Sequence, residues 1–312
     1  SPQLMATKLM TDAWPSLPLE AWQDTYTTLH LWTQIIGKIR LVQTPWINHS
    51  WHVPLYLTAR GLTTSTMPYG NRIVQIDFDF VAHQLIIAIS DGQTQTLPLE
   101  PRSVADFYAA VMAALAKLDI AIAINTLPNE IVDPIAFEKD ETHATYDADY
   151  ANRFWRVLLQ SERVFSDFRS HFCGKVSPVH FFWGSFDLAV TRFSGRTAPE
   201  HPAGVPNLPD DVAKEAYSHE VSSAGFWPGA GLGYPAFYSY AYPTPDKFKE
   251  APVRPEAAFF LDAMGEFILP YDAVREAADP DQTLLAFLES TYAAAANLAN
   301  WDQAALRQTS FK

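Results

Sequence analysis

Four segments between residues 52 and 99 alternate apolar and polar side chains, and turn signals separate them. The segments are HVPLYLTARGL, RIVQIDFDFV, HQLIIAIS and TQTLPL, and the turn tetrapeptides PYGN and SDGQ occupy two of the junctions. Apolar side chains at every second position indicate strands with one buried face, and connections this short join antiparallel neighbours. This stretch predicts an antiparallel sheet whose apolar face needs a second layer.

Long helices are predicted on both sides of the strands, and they can supply that layer. Residues 17–41 repeat tryptophan, leucine and isoleucine at helical spacing. Ser103 and Asp147 are N-cap residues for helices that end near residues 118 and 172, and Asp279 followed by Pro280 begins a last helix. The expected fold class is α+β, with antiparallel sheets covered by long helices. A short further strand is expected over the IAIAI segment, residues 120–124.

The first helix also carries a polar stripe formed by His30, Thr33, Gln34 and Lys38. The stripe holds a single firm charge, which is unusual for a solvated helix face. Solvent exposure is nevertheless the favoured interpretation of these four side chains.

The order of elements predicts two similar halves. Residues 1–127 form the first α+β half, residues 128–147 are rich in proline and acid and form a linker, and residues 148–312 form the second half, which carries the candidate site. Each half contains helix, strands, an LP-containing turn and helix, so an ancient duplication is a hypothesis.

Composition excludes several classes of protein. The net charge of -13 disfavours binding to nucleic acid, and the single cysteine excludes a disulfide framework and fits a reducing compartment. No run approaches the roughly 18 apolar residues of a membrane span, and the first ten residues lack the features of a secretory signal. We therefore expect a cytoplasmic protein with no membrane partner.

Several long motifs resemble a bacterial family of uncharacterised proteins that is known only as a domain of unknown function. The motifs are WQDTYTTLHLWTQIIGKIRL, NHSWHVPLYLTARGLTTS, SPVHFFWGSFDLAVTRFSGR, EAYSHEVSSAGFWPG and LPYDAVR, with Trp301-Asp302 near the end. The resemblance spans nearly the whole chain. It implies a soluble bacterial protein and no activity, cofactor or catalytic residue.

Two separated segments of the second half predict a cavity. Residues 177–196 combine polar side chains with phenylalanines and a tryptophan, and residues 218–223 supply a second polar group before the glycine-rich PGAGLGYP. An apolar pocket with a few convergent polar groups is typical of a small-ligand site. The candidate catalytic residues are His219, Glu220, His180 and Asp187, and the candidate ligand-binding residues are Arg192, Arg196, Trp183, Ser222 and Trp227.

These residue types indicate acid–base chemistry on an anionic metabolite. Arginine would clamp a carboxylate or phosphate, and a histidine oriented by a carboxylate would act as acid or base, as in a hydrolase or a proton-transfer enzyme. A structural alternative stays open, in which Asp187 pairs with Arg192 as two buried charges. The protein would then be a noncatalytic binding protein or a homodimer assembled through its aromatic surface.

Other kinds of site are weaker hypotheses. His49 and His52 have a spacing that could serve a metal, but on a strand this spacing places them on opposite faces, so no metal and no cofactor is predicted. No G-x-S-x-G elbow is present, and Cys173 follows a helix end that does not activate a thiol. PGAGLGYP precedes an apparent strand, so it is interpreted as a flap or a surface loop.

Overall fold

Seven α-helices and twelve strands form the fold within residues 12–205 and 208–309, the part of the chain that the computed structural model describes. The helices are α1 (Leu19–Gln43), α2 (Val104–Lys117), α3 (Ala148–Ser170), α4 (Asp210–Ala216), α5 (Tyr271–Arg275), α6 (Pro280–Leu298) and α7 (Gln303–Leu306). The strands are β1 (Tyr56–Leu57), β2 (Gly61–Thr63), β3 (Met67–Tyr69), β4 (Arg72–Asp79), β5 (Gln84–Ile89), β6 (Thr94–Pro98), β7 (His180–Phe182), β8 (Asp187–Thr197), β9 (His219–Trp227), β10 (Ala236–Tyr242), β11 (Phe259–Leu261) and β12 (Glu266–Pro270).

The strands form two antiparallel sheets of six, which confirms the α+β class. The first has the order β1-β2-β4-β5-β6 with β3 also paired to β4, and the second has the order β11-β12-β10-β9-β8-β7. Leu55 and Phe181 bridge the two sheets, because each main-chain N–H donates to the other residue's carbonyl oxygen at 2.9 Å. The bridge places β7, where the second sheet ends, beside the segment that leads into β1.

The predicted N-caps are confirmed. The Ser103 hydroxyl accepts a hydrogen bond from the Asp106 N–H at 3.0 Å, and the Asp147 carboxylate accepts one from the Tyr150 N–H at 3.1 Å. Asp279 caps α6 in the same way. Each cap satisfies a main-chain donor that the first helical turn leaves free.

Helices α3 and α6 pack together and cover one face of the second sheet. Their buried rings include Phe154, Phe165 and Phe168 on α3 and Phe287 on α6. The opposite face of strands β7 to β10 is left free of long helices, and this free face carries the candidate site.

The polar stripe of α1 is buried, contrary to the expectation of solvent exposure. The Gln34 side chain donates to the Asn129 carbonyl oxygen at 2.9 Å and accepts from the Asn129 N–H at 2.8 Å. Lys38 Nζ donates to the carbonyl oxygens of Asn125, at 3.0 Å, and of Leu127. The stripe was misjudged because its partners are main-chain groups of a segment nearly ninety residues away, which no helical periodicity reveals.

The segment interpreted as a linker, residues 128–147, packs against the body of the protein. Phe137 is fully buried, and Tyr146 stacks on Trp32 of α1 with ring centroids 5.4 Å apart. The expected strand at residues 120–124 is absent, and that stretch has no regular structure. The proposed division into two halves stays a prediction.

Among the helices of the described ranges, none has both the length and the apolarity that crossing a bilayer requires. The first ten residues, on which the expectation about a secretory signal was based, lie outside the described residues.

Candidate functional site

A cavity of about 670 Å³ lies against the face of the second sheet that α3 and α6 do not cover. Strands β7 to β10 form its floor, residues 49–53 form one wall, and residues 208–217, which include α4, form another. This volume falls within the range of cavities that bind small organic molecules.

The turn between β7 and β8 decides which side chains face the cavity. Residues 183–186 reverse the chain, so that His180 pairs with Ala189 and Phe182 pairs with Asp187 across the hairpin. Directly paired residues project from the same face of a sheet. His180 and Asp187 therefore line one cavity, although uninterrupted alternation along the sequence would have put them on opposite faces.

Four carboxyl groups line the cavity: that of Asp211, an exposed residue of α4, and those of Glu130, Asp187 and Glu266. Burial, with the nearby Asp187 carboxylate as a second cause, raises the pKa of Glu130 and of Glu266 to about 7. Burial also raises the pKa of Asp187, against the opposing effect of its hydrogen bonds. No lysine or arginine from the described ranges lines the cavity. We call Glu130, Asp187 and Glu266 the acid cluster.

Asp187 is held by two hydroxyl groups. Ser185 Oγ donates to Oδ1, and the Tyr238 hydroxyl donates to Oδ2. Tyr238 lies two strands away, in β10, and its ring reaches Asp187 by passing over Gly225 of the intervening β9. A Cβ at position 225 would overlap the Tyr238 hydroxyl and the Leu188 carbonyl oxygen, so this position requires glycine.

The Glu130 carboxyl group lies against Gly184 in the turn between β7 and β8. A Cβ at position 184 would overlap Glu130 Oε2. The same turn is fixed from α1, because His30 Nε2 lies 2.9 Å from the Gly184 carbonyl oxygen, to which it donates. Burial lowers the pKa of His30 to about 4, so this imidazole is neutral at physiological pH.

Aromatic side chains form the apolar part of the cavity wall. Trp227 lies with its ring centroid 5.6 Å from that of Tyr238, and Tyr240 is nearly parallel to Tyr238 at 6.2 Å. Trp183 is 4% exposed, and its indole N–H donates to the Val53 carbonyl oxygen at 2.9 Å. Both tryptophans named from the sequence, Trp183 and Trp227, thus line the cavity.

His180 also lines the cavity and is 1% exposed. Burial lowers its pKa to about 3, and the charges of Arg40 and Arg169 act in the same direction. Its Nε2 has no hydrogen-bond partner among the described residues. A buried polar atom without a partner is costly, and the described residues supply no partner for this nitrogen.

His219 lies at the margin of the cavity, at the start of β9. Its ring centroid is 5.6 Å from that of His49, and its Nδ1 is 2.9 Å from Ser218 Oγ. His49 Nε2 accepts a hydrogen bond from Lys175 Nζ at 2.6 Å. Burial first and the Lys175 charge second lower the pKa of His49. The structure therefore places His219 in a histidine pair, away from the acid cluster.

Arg192 lies on the other face of the sheet and does not reach the cavity. Its guanidinium carbon is 3.5 Å from the ring centroid of Phe168 and 4.4 Å from that of Tyr292, and it donates to the Phe168 carbonyl oxygen. Glu289 lies 3.9 Å away. Asp187 and Arg192 are five residues apart on one strand and so project in opposite directions, which prevents the buried pair considered from the sequence.

Three other candidate residues also lie outside the cavity. Arg196 Nε donates to Glu220 Oε1 at 2.7 Å, and a second guanidinium nitrogen donates to the Ala299 carbonyl oxygen at 2.6 Å. Ser222 is buried in β9 between two residues that line the cavity, and therefore faces away from it. The structure does not bring Arg196, Glu220 and Ser222 together with Asp187.

His49 and His52 both line the cavity but have separate partners. His52 Nδ1 accepts a hydrogen bond from the Ile47 N–H at 3.1 Å, and His49 is held by Lys175. In residues 12–205 and 208–309 no group of three histidine, cysteine or acidic side chains has an arrangement that could hold a metal ion.

The glycine-rich segment at residues 228–235 joins β9 to β10, as the sequence indicated. Leu232 and Tyr234 pack against the apolar cluster that contains Trp227 and Tyr238. The segment therefore covers one end of the aromatic wall and is not the start of a helix that could bind phosphate.

Sequence reasoning missed Glu130 and Glu266. Glu130 lies in a segment whose proline and acid content is typical of a linker, and Glu266 follows the turn glycine Gly265 at the start of β12. Neither residue carries a sequence signal that distinguishes it from an ordinary surface carboxylate, because acidic residues are mostly exposed.

Comparison with known proteins gives one match to a family. The model of the family of unknown function DUF5996 matches residues 14–308. No curated protein and no solved structure matches the chain. The match extends over nearly all of the elements described above, from α1 to α7. The chain is therefore a member of the family of unknown function DUF5996.

Proposed function

We propose that the protein is a small-molecule enzyme that exchanges protons with a ligand bound in the cavity. The observation that carries this proposal is the acid cluster: three carboxyl groups share an aromatic cavity with no arginine or lysine from the described residues in its lining. A carboxyl group whose pKa lies near 7, as for Glu130 and Glu266, can both accept and donate a proton at neutral pH.

The surroundings of the cluster support distinct roles for its members. Asp187 is oriented by Ser185 and Tyr238, so its position is fixed. Glu130 and Glu266 are the proposed acid and base. His180 is a neutral hydrogen-bonding group for a polar atom of the ligand, since its Nε2 is unpaired among the described residues.

The hydrolase or proton-transfer chemistry expected from the sequence fits this arrangement. The carboxyl groups of the acid cluster take the role of acid and base that the sequence analysis gave to His219 and Glu220. The expected anionic ligand depended on Arg192 and Arg196, neither of which lines the cavity. The charged residues that line the cavity therefore do not support the expected anionic ligand.

The test is isotope exchange. The protein is incubated in deuterated buffer with a mixture of small organic acids, amines, esters and carbonyl compounds, and mass spectrometry follows deuterium uptake and hydrolysis. We expect at least one compound to gain deuterium or be cleaved, and Glu130→Gln or Glu266→Gln to slow that reaction by about a hundredfold or more, the typical contribution of a positioned acid or base.

Two outcomes would contradict the proposal. Exchange that is equal in the wild type, in Glu130→Gln and in Glu266→Gln would remove the acid cluster from the chemistry. A compound that raises the melting temperature but is never converted would favour the noncatalytic binding protein instead. Glu250→Gln is the matched control, because Glu250 is exposed and does not line the cavity.

We further propose that the protein is bacterial and cytoplasmic. Cys173 is the sole cysteine, which fits a reducing compartment. The resemblance of the long motifs to a bacterial family supports the source. Fractionation of the source cells with an antibody against the chain tests the location.

A further inference from the structure

We infer that the cavity binds a small organic cation, an ammonium group carried on an apolar body. The inference rests on the proposed function, because it needs the same cavity to hold a small molecule. It goes further by naming the charge and the chemical class of that molecule.

The charges of the lining give the first argument. Glu130, Asp187 and Glu266 contribute carboxyl groups, and no lysine or arginine of the described residues is part of the lining. Asp187 acts electrostatically on both glutamates, so the three groups oppose one another's ionisation. A bound cation would supply the missing countercharge, whereas a bound anion would add to the repulsion.

The shape of the cluster separates an organic cation from a metal ion. Within residues 12–205 and 208–309 the acidic and histidine side chains do not converge on one point that could hold a metal. Glu130 lies against the β7–β8 turn, whereas Glu266 belongs to β12, three strands away from β8. Carboxyl groups spread around a cavity suit an ammonium group with a body of several carbon atoms.

The aromatic wall gives a second, independent argument. Trp227, Tyr238 and Tyr240 line the cavity next to the acid cluster, and the Tyr238 hydroxyl donates to Asp187. The faces of aromatic rings attract cations, tryptophan most strongly, and recognition of organic ammonium groups commonly combines rings with carboxylates. The same rings would pack against the apolar part of the ligand.

His180 gives a third argument. His180 is 1% exposed and lines the cavity, and its Nε2 lacks a partner among the described residues. The ring is neutral, since burial and two nearby arginines disfavour its protonated form. A neutral imidazole nitrogen can accept a hydrogen bond from an N–H of the ligand.

Beyond the cluster, His180, His49, His52 and Asp211 also line the cavity, and burial lowers the pKa of the three histidines. Further titratable groups face the cluster from neighbouring elements. From α1 these are Tyr26 and His30, from the end of α4 Tyr217, and from β10 Tyr238 and Tyr240. Burial raises the pKa of each tyrosine and lowers that of His30, so all of them are neutral between pH 6 and pH 8. Ionisation of the carboxyl groups therefore dominates the pH dependence of cation binding.

The experiment compares three probes of nearly equal shape by isothermal titration calorimetry: 2-phenylethylammonium, 2-phenylethanol and phenylacetate. At about pH 8 we expect the ammonium probe to bind the wild-type protein about tenfold more tightly than the other two, as one charge-assisted hydrogen bond permits. At about pH 6 we expect weaker binding of the ammonium probe and release of protons, measured by repeating the titration in buffers of different ionisation enthalpy.

Single variants assign the effect to the cluster. Glu130→Gln and Glu266→Gln should each weaken binding of the ammonium probe about tenfold and reduce the proton release, whereas the exposed control Glu250→Gln should change neither. Melting curves confirm that each variant is folded. The comparison of the three probes on the wild-type protein does not depend on any variant.

The outcomes distinguish the inference from the function on which it rests. If phenylacetate or 2-phenylethanol binds as tightly as the ammonium probe, the cavity binds small molecules but the inference of a cation is overturned. If none of the three probes binds, the inference fails together with the proposed small-molecule site.

Discussion

The two faces of the second sheet differ in whether their charged side chains have a countercharge nearby. On the helix-covered face, Arg192 is 1% exposed and is surrounded by Phe168, Phe172 and Tyr292, with Glu289 nearby as its countercharge. On the other face, the carboxyl groups line a cavity that no described lysine or arginine joins. One strand, β8, supplies both Arg192 and a member of the acid cluster, Asp187.

The difference separates the structural role of Arg192 from the proposed functional role of the acid cluster. A buried ion that has countercharge, rings and a carbonyl acceptor stabilises its site once it is folded, and removing it leaves a cavity and unpaired partners. Acidic groups that are crowded without a countercharge lower stability when they ionise, and such arrangements concentrate at functional sites. Two charged residues of one sequence motif, Asp187 and Arg192, therefore lie in opposite kinds of surroundings.

The largest effect is expected on the helix-covered face. Arg192→Ala should lower the free energy of unfolding by about 3 to 5 kcal/mol, since the guanidinium is buried among three rings and donates to the Phe168 carbonyl oxygen. Urea unfolding followed by tryptophan fluorescence measures the loss. Arg192→Met, which keeps the volume, should lose less. A folded Arg192→Ala protein with unchanged stability and lost ligand binding would reverse the roles of the two faces.

The next effect is the pH dependence of the free energy of unfolding, which the carboxyl groups on the cavity face cause. The pKa values of Glu130 and Glu266 rise from 4.5 to about 7, so the folded protein holds protons that the unfolded chain has released. The contribution of these two carboxyl groups to the free energy of unfolding is therefore fully present below about pH 4.5. It is lost as the pH rises through 7, by up to about 3 kcal/mol for each group.

Urea unfolding of the wild type and of the double variant Glu130→Gln, Glu266→Gln at about pH 5 and pH 8 measures this dependence. The double variant should lose less stability over that interval than the wild type does. Equal losses in the two proteins would mean that the carboxyl groups are solvated and ionise freely, and the contrast between the faces would disappear.

The smallest effect is expected at the margin of the cavity. His219→Asn should change the free energy of unfolding by less than about 0.5 kcal/mol, because His219 is partly exposed and its side chain contacts only Ser218 and the ring of His49 among the interactions described. A melting curve checks this. A large loss of stability would assign His219 to the structure and count against any part in chemistry.

Much of the fold could be predicted, and the site only in part. Helical spacing and capping residues located α1, α2, α3 and α6 within a few residues, and alternation located the first sheet between residues 52 and 99 but also predicted a strand at residues 120–124 that is absent. Trp183, His180, Asp187 and Trp227 line one cavity. Arg192 does not, because pairing across the hairpin at residues 183–186 sets the phase of β8. Glu220 and Ser222 do not, because their neighbours in β9, Val221 and Ser223, face the cavity, and Arg196 is paired with Glu220.

By itself the sequence determined the local elements of this protein, since the period of apolar residues and the capping side chains act over a few neighbours. Only the tertiary structure decided which charges meet. Glu130 reaches Gly184 across 54 residues of chain, and Glu266 and Asp187 come from strands far apart in sequence. The burial and mutual repulsion of these groups depend on distances in space, and the spacing of residues along the chain does not reveal those distances.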